Sequence, residues 1–442
     1  MSTTPNPTFT IGDRKLSLEE MQLGVGVLGG VASGRTTALV YPLIRQCFTN
    51  INQPDDNHKL AKCGGLFLDE SGFFNEFITN ELKTVGREDD IIRIDPSSNL
   101  VRYNPIDPED SAEENADKLS KGLHLANGGG ENRYWHDMTR HVIKLFLQLL
   151  EVHKPKHEIG LHDLMRFLND NELTETLRNE VEKTIQEKRD KISEEAFEIY
   201  EEAVQNIKWD WLELAEEAKT YIQSRIQTGV GQVATAETLQ NVFCHDTNFD
   251  FREVANKGKI ILFENAGLNK TTGQFISVCL KRDFQKWQYR RLGSASQQYG
   301  LNTTRTTLFV CDEFQEFVTS GNYGDENFFG VSRAAHVINI VSCHCPTTLE
   351  NAMGDPEQTK GLLSNLATLV FLRSPNRKSG EFGAAVTGFK SEEFENLQVV
   401  TPEKFPDGPW YSEAIICHRS PSGKSDTHKR QLRFIWDEKL DK

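Results

Sequence analysis

Nine consecutive residues near the start of the chain, Gly29-Gly30-Val31-Ala32-Ser33-Gly34-Arg35-Thr36-Thr37, have the make-up of a phosphate cradle. Glycines at both ends let backbone N–H groups curl around an oxyanion, and the helical pattern Arg35–Gln46 adds a positive helix N-terminus. The spacing is G-x-x-x-x-G-K-[ST] with Arg35 at the lysine position, and Thr36 becomes the hydroxyl for Mg2+ beside a bound nucleotide, expected to be ATP. Guanidinium is larger, planar and bidentate where an ammonium is a compact point charge, so binding is expected more readily than fast turnover. An ordinary glycine-rich turn is the competing reading. Phosphoryl transfer also needs an acidic pair at the end of a buried strand. Leu308-Phe309-Val310-Cys311-Asp312-Glu313 fits, and Leu66-Phe67-Leu68-Asp69-Glu70 rivals it. The aspartate would position Mg2+ and the glutamate would orient or deprotonate the attacking water. Cys343-His344-Cys345 invites a metal reading, but on a strand the two cysteines share one face and His344 the other, a poor geometry for one tetrahedral ion.

Elements able to position these groups recur along the chain. Short apolar runs stand at Leu23–Leu28, Gly65–Leu68, Ile91–Ile94, Lys259–Phe263, Thr307–Cys311, Val337–Ser342 and Leu369–Leu372. Runs of this length, apolar on both faces, suit a parallel sheet, with crossover helices such as Arg35–Gln46 and Phe275–Leu292 between them. From Asp110 to Thr247 the composition changes to Glu, Lys, Leu and Ala with a single proline, Pro155. Leu173–Asn206 is an almost uninterrupted helical signal, and Gly128–Gly130 and Gly229–Gly231 read as mobile turns. The expected fold is α/β: a RecA-like P-loop NTPase core with a mostly parallel sheet, built from residues 1–107 and 247–442, with an all-α domain inserted over 108–246.

Bulk properties bound the partners. A net charge of −15 argues against a surface that is basic all over, so nucleic acid would need a local patch or pore lining. The eight cysteines include no C-x-x-C pair and mostly lie in apolar runs, which suits reduced, buried thiols in a reducing compartment. Met1–Glu20 is polar, and the most apolar stretch, Leu23–Val31, is too short to span a bilayer. A soluble, cytoplasmic protein is expected.

The order of motifs resembles the type IV coupling proteins, conjugative DNA-transfer ATPases of the FtsK/HerA-like group. After the phosphate loop comes Asp69-Glu70-Ser71-Gly72, then Asp95-Pro96 and Tyr103-Asn104-Pro105-Ile106-Asp107, similar to the family's D-P…N-P-[LI]-D signature. Trp135 sits where the family places an aromatic before a long helix. Lys257-Gly258-Lys259-Ile260-Ile261-Leu262 resembles its "gk-hydrophobic" strand, and Asp312-Glu313-Phe314 its D-E-F strand end. The resemblance implies Asp312 and Glu313 as the catalytic pair and leaves Asp69 a structural or phosphate-neighbouring role. It implies that Arg333 reaches a neighbouring subunit's nucleotide as an arginine finger, against the plain reading of a surface charge. It also places His344 where the family carries a glutamine, and it implies a hexameric ring that passes DNA. Other secretion or transfer components would be partners. Family members usually carry an N-terminal membrane anchor; none is expected from the polar Met1–Glu20, so any membrane contact is expected to be peripheral, through partners.

Two stretches offer phosphate contacts: Lys281, Arg282, Lys286, Arg290 and Arg291 on one helix, and Arg419, Lys424, Lys429, Arg430 and Arg433 with only Asp426 opposing. Solvated faces are the alternative for both. Three functions remain in competition: a DNA-translocating motor, a nucleotide-binding adaptor with little hydrolysis, and a receptor whose helical insertion recruits protein.

Overall fold

The computed structural model describes residues 7–51, 53–54, 60–70, 72–129, 132–401, 404, 408–420 and 422–435. Two compact units are present: Met1–Ile92 with Phe251–Phe263 and Asp283–Lys442, and Arg93–Asp250 with Glu264–Arg282.

The first unit holds the sheet. Its strands are β1 (Val25–Leu28), β2 (Gly64–Leu68), β3 (Ile91–Ile94), β4 (Ile260–Phe263), β5 (Thr307–Cys311), β6 (Val337–Cys343), β7 (Thr368–Leu372), β8 (Val399–Val400), β9 (Tyr411–Arg419) and β10 (Ser425–Arg433). They run in the order β8-β9-β7-β1-β6-β5-β2-β4-β3, with β10 paired to β9. Every pairing from β7 to β4 is parallel. β1, β2, β4, β5, β6 and β7 are buried at each residue, as apolar runs covered on both faces require. The mixed α/β class with a mostly parallel sheet is therefore as expected. Parallel pairing brings the carboxyl ends of β1, β2, β5, β6 and β7 to one edge, the edge where open α/β sheets hold their ligands. The antiparallel hairpin β9–β10 closes the β7 side. It was not among the apolar runs.

A buried arginine ties this sheet together. Arg87, 1% exposed at its side chain, donates from Nη2 to the carbonyls of Cys63 (2.8 Å) and Gly258 (2.6 Å), just ahead of β2 and β4. Its Nε donates to Asp90 at 2.8 Å, and Lys62 Nζ donates to the same carboxylate at 3.0 Å. Burial pushes Asp90 up, but Arg87 and Lys62 outweigh it and hold the carboxyl below its ordinary value. A depressed folded-state value contributes stability that is complete above the unfolded value of about 4 and lost as pH falls through the folded one. The stability gap between the native chain and Asp90→Asn, read by urea unfolding, is thus expected to be wide at pH 7 and to narrow as pH is lowered from about 4 towards 2. A gap of equal size at pH 7 and at about pH 2 would refute this account.

The second unit is helical: α3 (Ala112–Ala126), α4 (Arg133–His153), α5 (Leu161–Leu168), α6 (Asn171–Glu187), α7 (Glu194–Ile207) and α8 (Glu216–Thr235) are its main elements, joined by residues 264–282. α3 begins at a capping box, Ser111 Oγ accepting from Glu114 N and Glu114 accepting from Ser111 N. On α4, Val142, Ile143, Phe146, Leu149 and Leu150 recur at helical spacing and are buried, and Phe146 meets the buried Trp211 edge-on at 5.7 Å. The long helical signal after Leu173 is broken: α6 stops at Glu187, and Ser193 caps α7 by accepting from Ala196 N. Gly128 and Gly129 do form a turn with positive φ, while Gly130 lies outside the described residues. Gly229–Gly231, by contrast, lie inside α8. A Cβ on Gly229 would stand 2.8 Å from Leu123, so the glycine serves close helix packing rather than a mobile turn.

Candidate nucleotide site

The phosphate loop leaves β1 at Leu28 and is pinned by backbone bonds to its neighbours, Gly29 N to Cys343 O (3.3 Å) and Gly30 N to Arg373 O (2.9 Å). Val31 stands 78% exposed at the tip, and Ala32 takes a left-handed φ of 55°. Gly34, at φ 88°, has its would-be Cβ only 2.6 Å from Ser412 Oγ and 2.9 Å from the Phe434 ring, so glycine is needed there for both conformation and space. Ser412 Oγ donates to Ser33 O at 2.6 Å, and Ile435 N to Thr37 O at 2.9 Å. The β9–β10 hairpin is thus the wall behind the loop. The following helix opens as a π-helical stretch, Arg35–Val40, before α1 (Tyr41–Asn50), a widening frequent at functional sites.

Two features fit this loop to a phosphate. Side chains at Gly29 or Gly30 would fill the cradle, meeting Ser33 Oγ at 2.6 Å and Pro375 at 2.9 Å. The Ser33 hydroxyl is buried and, among the described residues, has no hydrogen-bond partner. Buried polar groups left unmatched are costly, and an arriving oxyanion is one way to match them.

Beside the loop, Thr36 Oγ1 donates to Asp312 Oδ2 at 2.6 Å. Asp312 closes β5 and also accepts from Ser342 Oγ, on β6. Glu313 follows at φ 52°, ψ 48°, a left-handed conformation that a non-glycine residue adopts at a cost of about 1–3 kcal/mol. Its carboxylate is held by Arg35 Nη2, by Gln315 Nε2 at 2.8 Å and by His344 Nε2 at 3.1 Å. Arg35 Nη1 meanwhile donates to Gly29 O (2.8 Å) and to His344 Nδ1 (2.9 Å). A guanidinium only donates, so Nδ1 presents its lone pair and Nε2 carries the proton that faces Glu313. Arg35, Glu313 and His344 therefore form a closed triangle, with Arg35 just 7% exposed. The donor count leaves room for more: Arg35 uses three of its five guanidinium N–H groups, on Gly29, His344 and Glu313, and Glu313 uses three of about four lone-pair sites, on Arg35, Gln315 and His344.

A cavity of about 880 Å³ opens on this edge, lined by Thr36, Asp312 and Glu313 together with Asp69, Glu70 and, from α2 (Phe73–Thr84), Glu76. Such a wall attracts cations. Burial, and then Asp69, Asp312 and Glu76, push the Tyr41 hydroxyl well above its usual range, so it stays a neutral donor while its ring stacks on Phe77 at 3.8 Å. Both acidic pairs named from sequence thus reach the same cavity, but among the described residues only Asp312 bonds Thr36. Cys343 and Cys345 are buried, burial pushes the Cys343 thiol well up, and both nitrogens of His344 are engaged. The Cys-His-Cys run is no metal centre in this arrangement.

No family model matches the sequence, and no curated protein does. Solved structures do. TrwB, a plasmid coupling protein, in complex with ADP and Mg2+ aligns over 98% of this chain and 91% of its own, at a TM-score of 0.58 and 11% identity. Its trigonal form in complex with sulphate aligns over the same shares at 0.59 and 10%. The fold is that of the conjugative coupling protein TrwB.

Within this TrwB-like fold the remaining sequence candidates scatter. Arg333, in the turn after α9 (Asp325–Ser332), is exposed, and among the described residues its side chain makes no ion pair or hydrogen bond. The Asn104 amide donates to Ile159 O at 2.8 Å and its carbonyl accepts from Ile106 N, a structural role within the helical unit. Ser71 of the Asp-x-x-Gly element lies outside the described residues. The two basic stretches are not continuous faces. Lys281 and Arg291 are buried, Arg290 lies over Trp287 and Tyr299, and Arg282 pairs with Asp117 at 3.8 Å. On the hairpin, Lys429 pairs with Glu413 at 3.0 Å and Arg430 with Asp13, acids that the linear reading did not set against them. Ser342, Gln315 and Ser412 were missed. Strand alternation could have found Ser342, which shares a face with His344.

Among the described residues, no helix is long and apolar enough to cross a membrane.

Proposed function

We propose that the protein is an ATP-dependent translocase of DNA or nucleoprotein, a coupling ATPase of a conjugation or type IV secretion-like system that works as a hexameric ring. The observation that carries this reading is Thr36 Oγ1 set 2.6 Å from Asp312, one residue from Glu313, at the carboxyl edge of the parallel sheet. Thr36 and Asp312 would hold Mg2+, which when bound neutralises phosphate charge. The loop N–H groups of residues 29–37 and the spare donors of Arg35 would bind the phosphates. Glu313, oriented by Gln315 and His344, would take the proton of the attacking water through its remaining lone pair. Arg333 of a neighbouring copy would meet the charge that develops on the transferred group. Other transfer components would bring the ring to the cytoplasmic face of a membrane, and residues 108–246 would form the inserted all-α domain.

A second reading has its own support. Arg35 is held by Gly29, Glu313 and His344, which suits an adaptor that binds nucleotide with little hydrolysis. Steady-state ATP hydrolysis with and without single- and double-stranded DNA separates the two. The motor requires DNA-stimulated turnover that Glu313→Gln lowers by about 10²-fold or more, the scale of a lost general base. Nucleotide bound without turnover would decide for the adaptor.

A further inference from the structure

At the start of α4 three aromatic rings form a chain that opens to solvent. Tyr134 is 59% exposed and Tyr221, on α8, is 37% exposed. Trp135 joins them: its ring centroid lies 5.2 Å from Tyr134 at 75° and 4.5 Å from Tyr221 at 40°. An arginine neighbours each outer ring, Arg133 preceding Tyr134 in the chain and Arg225 lying against Tyr221. The Arg133 side chain is 94% exposed and reaches the half-exposed Asp137 at 3.6 Å. Arg225 lies 5.6 Å from the Tyr221 ring centroid and donates to its hydroxyl at 3.4 Å. Scattered exposed aromatics need no explanation, but a contiguous run of rings framed by two arginines does. None of these groups belongs to the nucleotide site, and all lie within the helical unit.

We infer that Tyr134, Trp135 and Tyr221 are a stacking platform for unpaired bases of a single-stranded nucleic acid, with Arg133 and Arg225 meeting the phosphates on either side. This rests on the nucleic-acid reading given above. The chemistry selects single strands. Every base offers a π-face to a ring, whereas a duplex buries those faces in its own stack. Arginine at each end of the rings matches the alternation of phosphate and base along a strand, and guanidinium also stacks on base planes.

The test is fluorescence anisotropy of the full-length chain with fluorescein-labelled oligothymidylate and a duplex of equal length at fixed low salt. Tyr134→Ala and Trp135→Ala are each expected to weaken single-strand binding about tenfold while moving duplex binding less than twofold, and Trp135→Phe to restore most of the loss. Circular dichroism checks the fold of each variant, and Tyr134, the most exposed ring, is the substitution least able to disturb it. Single-strand affinity unchanged in both alanine variants would assign the rings to a protein contact and overturn the proposal. Equal losses on single strand and duplex would overturn stacking. If the native chain binds neither nucleic acid, the broader reading falls with it, an outcome distinct from the other two.

Discussion

Arg333→Ala is expected to lower DNA-stimulated ATP turnover by about 10³-fold or more, the range over which arginine fingers act. Arg333 is exposed in the turn after α9, makes no polar contact with its own phosphate loop among the described residues, and has no partner there that would explain it. A charge so placed serves phosphoryl transfer only across an interface between copies. A mixing experiment isolates that claim from any effect on folding. Arg333→Ala and Glu313→Gln chains, each inactive alone, should regain activity when assembled together. A site formed by Glu313 of the first and Arg333 of the second is intact, and about a quarter of random interfaces are of that kind. Mixtures that stay inactive despite forming rings would place Arg333 outside the reaction.

The largest effect on stability is expected from Arg87→Met, at about 3–5 kcal/mol, measured by urea unfolding at pH 7. Methionine fills much of the volume but removes three donations to oxygen at once. It leaves the carbonyls of Cys63 and Gly258 without their donor and leaves Asp90 to Lys62 at 3.0 Å and Lys259 at 3.9 Å. The cost comes from what stays behind, since a buried charge pair contributes little until one partner is removed. A loss below about 1 kcal/mol would show that water replaces the guanidinium, contrary to its 1% exposure.

The parts of the fold that were readable share a physical cause. Strands such as Thr307–Cys311 are buried on both faces and appear as unbroken apolar runs, and the glycines of residues 29–34 announce a backbone that must curl. The hairpin β9–β10 escaped because β10 is largely solvent-facing, so Ser425–Arg433 shows charge where a strand usually shows alternation. The contacts of Arg35 escaped for another reason. Its partners His344 and Glu313 lie 309 and 278 positions away, and no local pattern encodes which of five donors a guanidinium will use. Gly229–Gly231 misled in the opposite direction, since a weak helix former is tolerated where Leu123 leaves no room for a larger one. The acidic pair was visible twice; the order of motifs favoured Asp312 and Glu313, and the sheet order, which sets β5 between β6 and β2, is what brings Asp312 to Thr36.

The wall behind the phosphate loop also has a temporal meaning. Ser33 and the Ser412 hydroxyl that holds it are 379 positions apart, and translation proceeds from one to the other at about 5–20 residues per second. For tens of seconds a nascent chain carries Gly29–Thr37 complete in sequence while Ser412, Phe434 and Ile435 do not yet exist. During that interval Gly34 has its freedom and nothing to restrain it. The loop therefore gains its wall only late in synthesis, when the last strands of the sheet emerge.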